Sequence, residues 1–286
     1  MSEAADFRTS IKPVWCRGCG NFGILTALRG ALADSGLEPH NVMIVSGIGC
    51  HGAVTQYVNA NGFHSIHGRT LPVVTGIKLA NHELQVIAMA GDGDGYGIGI
   101  GHFIHAMRRN LDITNLVHNN KRYSLTTGQT SPTTEKGSST KSTPFGVIEA
   151  PVNPLTLALS SGATYISRGF AGDPPHLKKL ITDGIAHKGF ALIDILQPCI
   201  TFNHVNTNAF YKERVFKLEE DKNYDPGDKM AAYERALEWG DRIPIGLFYK
   251  EVRPTYEDEV QTIKDMPLVK KAVRGVDITK TLEQFR

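Results

Sequence analysis

The sequence predicts an α/β protein with a doubly wound, mostly parallel sheet, and three observations lead to this prediction. Short apolar runs rich in Val and Ile recur along the chain. Gly, Asn or Pro bound these runs, as expected for strands that are buried on both faces of a parallel sheet. Helical patterns lie between them, and strands that alternate with helices are typical of this fold class.

The predicted elements follow one another along the first two thirds of the chain. The strands are VMIVS (42–46), VIAMA (86–90), ITNLVH (113–118) and FALIDIL (190–196). The helices are GILTALRGALADSG (23–36), IGHFIHAMRRN (100–110) and PPHLKKLITDGIAHKG (174–189). The last pattern begins with Pro and ends with Gly, which is the usual asymmetry of helix start and stop.

Two segments interrupt the alternation. Residues 124–146 form a long polar stretch directly after a strand, and a loop of this length is usually functional or disordered. After residue 206 the chain becomes charged and irregular in pattern. We therefore predict one α/β domain over residues 1–205 and a C-terminal arm over residues 206–286 that packs on the domain or on a partner subunit.

The composition of the 286-residue chain is that of an ordinary globular protein, with 41% hydrophobic and 21% charged residues. A net charge of +2 gives no indication of a nucleic-acid or membrane partner. We see no signal peptide and no apolar run of membrane-spanning length, so we expect a cytoplasmic protein. In that compartment the four cysteines, Cys16, Cys19, Cys50 and Cys199, are expected to be free or metal-bound instead of disulfide-bonded.

One glycine motif matches only part of a known binding pattern. GIGCHG (47–52) follows a strand and matches the dinucleotide-binding pattern GxGxxG. That pattern also needs an Asp or Glu about 20 residues further on to hold the ribose hydroxyls. Residues 39–82 contain no acidic residue, so a dinucleotide site is not predicted here.

A second glycine motif points to a metal and a diphosphate. AGDGDGYG (90–97) places Asp92 in a glycine turn at the end of a strand, and Asn119 and Asn120 come at the end of the next strand. Oxygen ligands of this kind suit Mg²⁺, which completes its coordination with substrate phosphates. The glycine turn leads into a helix whose first amides can receive an anion. The alternative interpretation is a simple turn and a helix cap, but the pair at this spacing favours a Mg²⁺–diphosphate site.

The Gly-Asp-Gly motif at residues 91–93, followed by Asn-Asn at residues 119–120, resembles the diphosphate-binding domain of thiamine-diphosphate enzymes. Within that group the chain resembles the β subunit of 2-oxoacid:ferredoxin oxidoreductases. The matching stretches are WCRGCGNFG, GIGCHG, HGRTLPVVTGIKLAN, GDGDGYGIGIGHFIHAMRRN, YSLTTGQTSPTT, LQPC and EWGDRIPIGLFY, between residue 15 and about residue 250. The sequence departs from the family at Asn119 and Ser124, where Asp and Gly are more usual.

The resemblance implies an enzyme subunit and several partners. The reaction would be the coenzyme A-dependent oxidative decarboxylation of a 2-oxoacid to acyl-CoA and CO₂, with electrons passed to ferredoxin and with the direction open. Groups near the loop, His51, Arg69 and Thr126, favour 2-oxoglutarate over pyruvate. The chain has no room for the second thiamine-binding domain, so an α subunit would supply the activating Glu, within an (αβ)₂ heterotetramer.

The resemblance also implies a use for the four cysteines. Cys16 and Cys19, in the loop 14–23, would bind one [4Fe–4S] cluster together with Cys50 and Cys199. The alternative is structural zinc, which also takes four thiolates. Zinc modules usually contain two CxxC pairs, whereas this chain has one pair and two separate cysteines.

The remaining site residues are likewise implied by the resemblance. Asp92, Asn120 and the backbone carbonyl of Arg122 would bind Mg²⁺. His67 and Arg69 are candidates for the reacting centre, and His51 and Lys78 are weaker ones. The residues expected to bind thiamine diphosphate are Ile48, Gly49, Cys50, Gly68, Gly91, Gly93, Asp94, Tyr123, Ser124, Leu125 and Thr126.

Two other functions stay open on the sequence. One is a thiamine-dependent decarboxylase or carboligase subunit without a redox step, whose cysteines hold zinc. The other is a zinc-stabilised binding module without catalytic activity. Visible absorbance that is lost in air would distinguish an iron–sulfur cluster from zinc, and titration with thiamine diphosphate and Mg²⁺ would distinguish an enzyme subunit from a binding module.

Overall fold

The computed structural model describes residues 3–272 and 274–285. The helices are α1 (Asn21–Asp34), α2 (Val54–Tyr57), α3 (Thr70–Ala80), α4 (Ile100–Arg109), α5 (Pro154–Ser161), α6 (Pro174–Ala186), α7 (Asn208–Arg214), α8 (Lys229–Leu237), α9 (Tyr256–Glu259) and α10 (Thr279–Glu283). The strands are β1 (Val42–Ser46), β2 (Asn61–His64), β3 (Gln85–Gly91), β4 (Ile113–Asn119), β5 (Arg122–Tyr123), β6 (Gln129–Thr130), β7 (Tyr165–Phe170), β8 (Phe190–Leu196), β9 (Val215–Lys217) and β10 (Ile243–Lys250).

Eight strands form one sheet in the order β2-β1-β3-β4-β8-β7-β10-β9. The neighbours from β2 to β7 are all parallel, and β10 runs antiparallel to β7. The predicted fold class, a doubly wound and mostly parallel sheet, is therefore confirmed. The four predicted strands and three predicted helices all exist, and their bounds differ from the prediction by at most three residues.

Alternate residues of the central strands bury their side chains on opposite faces of the sheet. In β3, Val86, Ala88 and Ala90 belong to one apolar cluster, whereas Ile87 and Met89 belong to another. Helices α1, α2 and α6 contribute to the second cluster, and α3, α4, α5 and α8 contribute to the first. Because both faces are covered, the strands read as continuous apolar runs in the sequence.

The region after residue 206 differs from the prediction. Residues 208–250 are not an irregular arm, since they form α7, β9, α8 and β10. Ile243 and Ile245 of β10 are buried, and β10 extends the main sheet beyond β7. The charged residues of this region misled the prediction because they occupy the exposed faces of short elements. Among the described residues beyond β10, the chain forms the short helices α9 and α10.

The polar segment 124–146 contains one short strand, β6, which pairs with β5 in a small hairpin. The rest of the segment has no regular helix or strand, as the sequence predicts. Several of its hydroxyl side chains are nevertheless buried, including those of Ser131, Thr133 and Thr134. Among the described residues, no helix combines the length and the apolar character needed to cross a membrane.

Candidate functional site

The candidate site lies at the carboxyl ends of β1, β3, β4 and β8. These four strands are consecutive neighbours in the sheet, so the residues that follow each of them share one edge. Ligands of open α/β sheets bind at this edge because the loops that leave the strands form a crevice there. Two cavities with volumes of about 250 and 330 Å³ open side by side at this edge.

The smaller cavity, which we call the oxygen cavity, contains most of the predicted site residues. It is lined by Ile48, Gly49, Cys50, His51, His67, Gly91, Asp92, Gly93, Asp94, Asn120, Arg122, Tyr123, Ser124, Leu125 and Thr126. The structure therefore brings together the three segments 48–51, 91–94 and 120–126. Gly68 and Arg69 do not line it.

Asp92 follows β3 and is only 1% exposed. Its Oδ2 accepts hydrogen bonds from Ser131 Oγ at 2.5 Å and Thr133 Oγ1 at 2.7 Å. Burial raises the pKa of the Asp92 carboxyl, and the two hydroxyl donors act in the opposite direction. A buried carboxylate that is fixed on one oxygen by donors is suited to bind a cation on its cavity side.

Asn120 and Arg122 form a tight turn directly after β4. Asn120 Oδ1 accepts a hydrogen bond from the backbone N–H of Arg122 at 3.0 Å, and Lys121 between them has a left-handed backbone with a φ of 59°. Asn side chains commonly fix turns in this way. The turn holds Asn120 and Arg122 in the lining of the cavity, which also includes the segment 91–94.

Asp94 connects three loops of the site. Its Oδ1 accepts from the backbone N–H groups of Gly68 at 2.7 Å and Ile48 at 3.3 Å, and it lies 3.1 Å from His67 Nδ1. A side chain at Gly47 would overlap the Asp94 carboxylate, so this close approach requires glycine. Asp94 therefore fixes the loops after β1 and before α3 against the turn after β3.

The two residues predicted for the reacting centre are placed differently. His67 lines the oxygen cavity and is half-exposed. The Arg69 guanidinium donates to the carbonyl of Gly68 at 3.2 Å, and its charge lowers the pKa of His102 on α4 after the effect of burial. Arg69 thus lies beside α4, outside the cavity, and the substrate carboxylate pairing expected from the sequence would need this side chain to move.

Two weaker candidates are buried. His51 contacts the oxygen cavity but is 3% exposed, and burial lowers its pKa to about 3, so it is neutral at pH 7. Lys78 lies near the opposite edge of the sheet, where it pairs with Asp112 at 2.9 Å and donates to the carbonyl of Leu84. Lys78 therefore has a structural position remote from both cavities.

The larger cavity, which we call the thiol cavity, is lined by all four cysteines. Cys16, Cys19, Cys50 and Cys199 carry free thiols in this structure. Gly49, Cys50, Asn120, Ser124 and Leu125 line both cavities and form the wall between them. Among the described residues, no three or more His, Cys, Asp or Glu side chains converge closely enough to hold one metal ion.

Contacts between loops hold the thiol cavity together. The Trp15 indole N–H donates to the carbonyl of Cys50 at 2.6 Å, and the backbone N–H of Gly20 donates to the carbonyl of Pro198 at 3.2 Å. These bonds join the CxxC loop to the loop after β1 and to the loop after β8. Four cysteines from segments that are distant in sequence therefore surround one space.

The environment of the thiols disfavours isolated thiolates. Burial, with a smaller contribution from the nearby Cys19, Cys199 and Cys16, raises the pKa of Cys50 to about 11. Burial also raises the pKa of Cys19. Four sulfurs in such a place need a cationic group to bind as thiolates, because negative charges would otherwise repel one another.

Sequence reasoning gave no role to several residues that support the site. Thr133 Oγ1 lies within hydrogen-bond distance of both Asn119 Oδ1, at 2.9 Å, and Asp92 Oδ2, and its single proton is donated to one of them at a time. Asn119 Nδ2 donates to Asp194 Oδ1 at 3.1 Å, and Asp194 pairs with Arg168 Nε at 3.6 Å. The TSPTT stretch was part of the family resemblance, but its hydroxyls carry no chemistry of their own that would have marked them.

The chain matches two family models that together cover most of its length. Residues 47–195 match the model described as "Thiamine pyrophosphate enzyme, C-terminal TPP binding domain". Residues 199–265 match the model that describes the C-terminal part of the pyruvate ferredoxin oxidoreductase beta subunit. The first match covers the strand ends that form the oxygen cavity.

Relatives of known name are similar over nearly the whole chain. The β subunit of a 2-oxoacid:ferredoxin oxidoreductase from Saccharolobus solfataricus is 50% identical over 258 residues, which cover 86% of this chain and 85% of that protein. The 2-oxoglutarate synthase subunit KorB of Archaeoglobus fulgidus is 38% identical over 265 residues, which cover 92% and 95%.

A solved structure is similar over the full chain. It is a 2-oxoglutarate:ferredoxin oxidoreductase from Magnetococcus marinus with 2-oxoglutarate, coenzyme A and succinyl-CoA bound. The similarity has a TM-score of 0.91 at 36% identity, and it covers 100% of this chain and 96% of the matched chain.

Proposed function

We propose a specific function from one premise: the chain belongs to the family of 2-oxoacid:ferredoxin oxidoreductase β subunits, and residues 47–195 are its thiamine-diphosphate-binding domain. In this proposal the chain is the electron-transferring β subunit of a coenzyme A-dependent enzyme that oxidatively decarboxylates 2-oxoglutarate. The observation that carries the proposal is the pair of adjoining cavities, one lined by oxygen donors and the other by four thiols.

The oxygen cavity fits Mg²⁺ and a diphosphate. Asp92 offers a carboxylate oxygen, Asn120 an amide oxygen and Arg122 a backbone carbonyl, which are hard donors of the kind Mg²⁺ takes. Gly91 and Gly93 leave the turn after β3 without side chains that would crowd a diphosphate. Bound thiamine diphosphate would supply the means to cleave the bond between the carboxylate and the keto carbon of a 2-oxoacid.

This chain's own residues would position the cofactor and shield it from water. Ile48, Leu125 and Thr126 lie around the opening of the oxygen cavity, and His67 is held toward it by Asp94 at 3.1 Å. Asp94 Oδ1 lies next to one ring nitrogen of His67, and the imidazole lines the cavity in which the reacting atoms would lie. The buried His51 is neutral and serves as packing next to Gly91.

The thiol cavity fits a [4Fe–4S] cluster better than a zinc ion. Four thiolates could bind either group. The four thiols line one cavity of about 330 Å³ and come from three separate segments of the chain. A bulky inorganic group between the four sulfurs accounts for this arrangement. The shared wall would place such a cluster directly beside the cofactor, as electron transfer over a short distance requires.

An α subunit would complete the oxygen cavity. No Glu from residues 3–272 or 274–285 lines this cavity, although thiamine activation needs a carboxylate on the aminopyrimidine ring. Apolar side chains at the openings of both cavities are exposed, with Val14 at 85% and Leu125 at 58%. Exposed apolar groups around a binding site are typical of a surface that a partner covers. Ferredoxin would receive the electrons, and the assembly would be an (αβ)₂ heterotetramer.

The structure changes the reasons for expecting 2-oxoglutarate as the substrate. Of the three groups that favoured a dicarboxylic acid, His51 is neutral and Arg69 lies outside the oxygen cavity. Thr126 remains at the opening of the cavity. The preference now depends on the similarity to proteins named for 2-oxoglutarate.

The test is an anaerobic assay of the co-expressed α and β chains with a viologen dye as electron acceptor. We expect coenzyme A-dependent dye reduction with 2-oxoglutarate, slower reduction with pyruvate, and none with the β chain alone. Full activity of the isolated β chain would contradict the two-subunit proposal. Loss of CO₂ from the 2-oxoacid without dye reduction, by a purified complex that holds no iron, would instead favour the non-redox or zinc alternatives.

A further inference from the structure

Ser124 occupies the wall between the two cavities. It lines both of them and is 8% exposed. Its hydroxyl donates a hydrogen bond to the sulfur of Cys199, with Oγ and Sγ 3.2 Å apart.

A second thiol of the same cavity receives a side-chain donor. The Gln197 amide donates to Cys19 Sγ at 3.4 Å, and Gln197 is 2% exposed. Gln197 follows β8 and belongs to the LQPC stretch, whereas Ser124 follows β5. The two donors therefore come from different loops and act on different sulfurs.

A donor to a cluster ligand favours the more negative charge state. A hydrogen bond to an ionised acceptor is stronger than one between neutral groups. When a cluster accepts an electron, the charge on its thiolate ligands becomes more negative, so the O–H···S bond strengthens in the reduced state. Hydrogen bonds to the sulfurs are accordingly one of the factors that set the reduction potential of an iron–sulfur cluster.

We propose that the Ser124 hydroxyl raises the reduction potential of a cluster in the thiol cavity. It would do so through its hydrogen bond to the sulfur of Cys199. The inference rests on the proposed function, since it needs the cluster. Ser124 also lines the oxygen cavity, so its hydrogen bond acts on the side of the cluster that faces the cofactor from which electrons would arrive. Ser124 would thereby ease the step from the cofactor to the cluster.

The test compares Ser124→Ala and Ser124→Thr in the anaerobically purified αβ complex. The readout is a redox titration of the cluster followed by its electron paramagnetic resonance signal. Loss of the hydroxyl in Ser124→Ala should lower the equilibrium constant for cluster reduction about three- to tenfold, where tenfold corresponds to about 59 mV for one electron. Ser124→Thr keeps a donor, so its equilibrium constant should stay within about twofold of the natural protein.

Three further measurements make the result specific. Iron content and visible absorbance establish that each variant carries the cluster. Ser160→Ala, which removes an exposed hydroxyl on α5 remote from both cavities, should leave the potential unchanged. Gln197→Met should lower the potential separately, and the Ser124→Ala and Gln197→Met effects should add, because the two residues touch different sulfurs.

The outcomes separate this inference from the proposed function. A natural complex without iron would overturn the proposed function and this inference together. A complex with a normal cluster whose potential is the same in Ser124→Ala would overturn this inference alone. An equal fall in Ser124→Ala and Ser124→Thr would also overturn it, because packing and not the hydroxyl would then set the potential.

Discussion

The two adjoining cavities are built in different ways. In the oxygen cavity, Asp92 and Asn120 each follow the end of a strand, and β3 and β4 are neighbours in the sheet. In the thiol cavity, the cysteines come from three segments that only loop contacts bring together, such as the bond from Trp15 to the carbonyl of Cys50. The first arrangement is set by strand pairing and the second by tertiary packing. The two functions should therefore be separable by mutation although the cavities share a wall.

The largest expected effect comes from a substitution that should abolish cluster binding in the thiol cavity and leave cofactor binding in the oxygen cavity intact. Cys16→Ser deletes a thiol that lines the thiol cavity and not the oxygen cavity. We expect the cluster iron to be lost and electron transfer to a viologen dye to fall at least about 100-fold, as metal sites depend strongly even on their outer partners. Thiamine diphosphate binding, measured by calorimetry, should stay within about threefold.

The reciprocal change tests the oxygen cavity. Asp92→Asn keeps the shape of the side chain and removes its charge, so Mg²⁺ and thiamine diphosphate should bind at least about 100-fold more weakly. The iron content of the αβ complex should be unchanged. Asp183→Asn, on the exposed side of α6, is the matched control and should bind both normally. Loss of iron in Asp92→Asn would mean that the two cavities depend on each other for folding.

A smaller effect is expected from the hydroxyl that fixes both Asp92 and Asn119. Thr133→Val replaces the hydroxyl with a methyl group of similar size, and Mg²⁺ affinity should fall about 10- to 100-fold, as for other outer-sphere partners of metals. Thr130→Val, on the neighbouring strand β6 and with its hydroxyl next to Ser142, is the control and should change the affinity less than about twofold. Equal effects from both variants would point to a general loosening of the loop.

The smallest effect concerns stability and depends on pH. Burial raises the pKa of Asp92 in the folded chain, so its contribution to stability is present at low pH and is lost as the pH rises through the folded pKa. Asp92→Asn does not titrate. Without ligands, this variant should therefore melt about 2–4 °C higher than the natural chain at pH 8, with the difference shrinking toward acidic pH. A difference that grows toward acidic pH would contradict this account.

Much of the fold and of the oxygen cavity could be predicted from the sequence. The strands 42–46 and 190–196 have the predicted bounds, and Asp92 and Asn120 line one cavity as their positions after neighbouring strands indicate. The helices and strands of region 208–250 were not predicted, because short elements with charged exposed faces lack the long apolar pattern that marks a buried strand. Arg69 was assigned to the reacting centre by its neighbours in sequence, whereas the structure leaves it out of the lining of the oxygen cavity.

By itself the sequence determined the α/β class, the strand order in the chain, and the residue types available for oxygen and sulfur ligation. These follow from local patterns, since burial on both faces of a strand and a glycine turn at its end leave a signature within a few residues. Only the tertiary structure decided that Cys16, Cys50 and Cys199 border one cavity, that Ser131 and Thr133 hold Asp92, and that Ser124 reaches a thiol. Such contacts join residues far apart in the chain, and the packing of loops at the sheet edge, which no local pattern encodes, sets their distances.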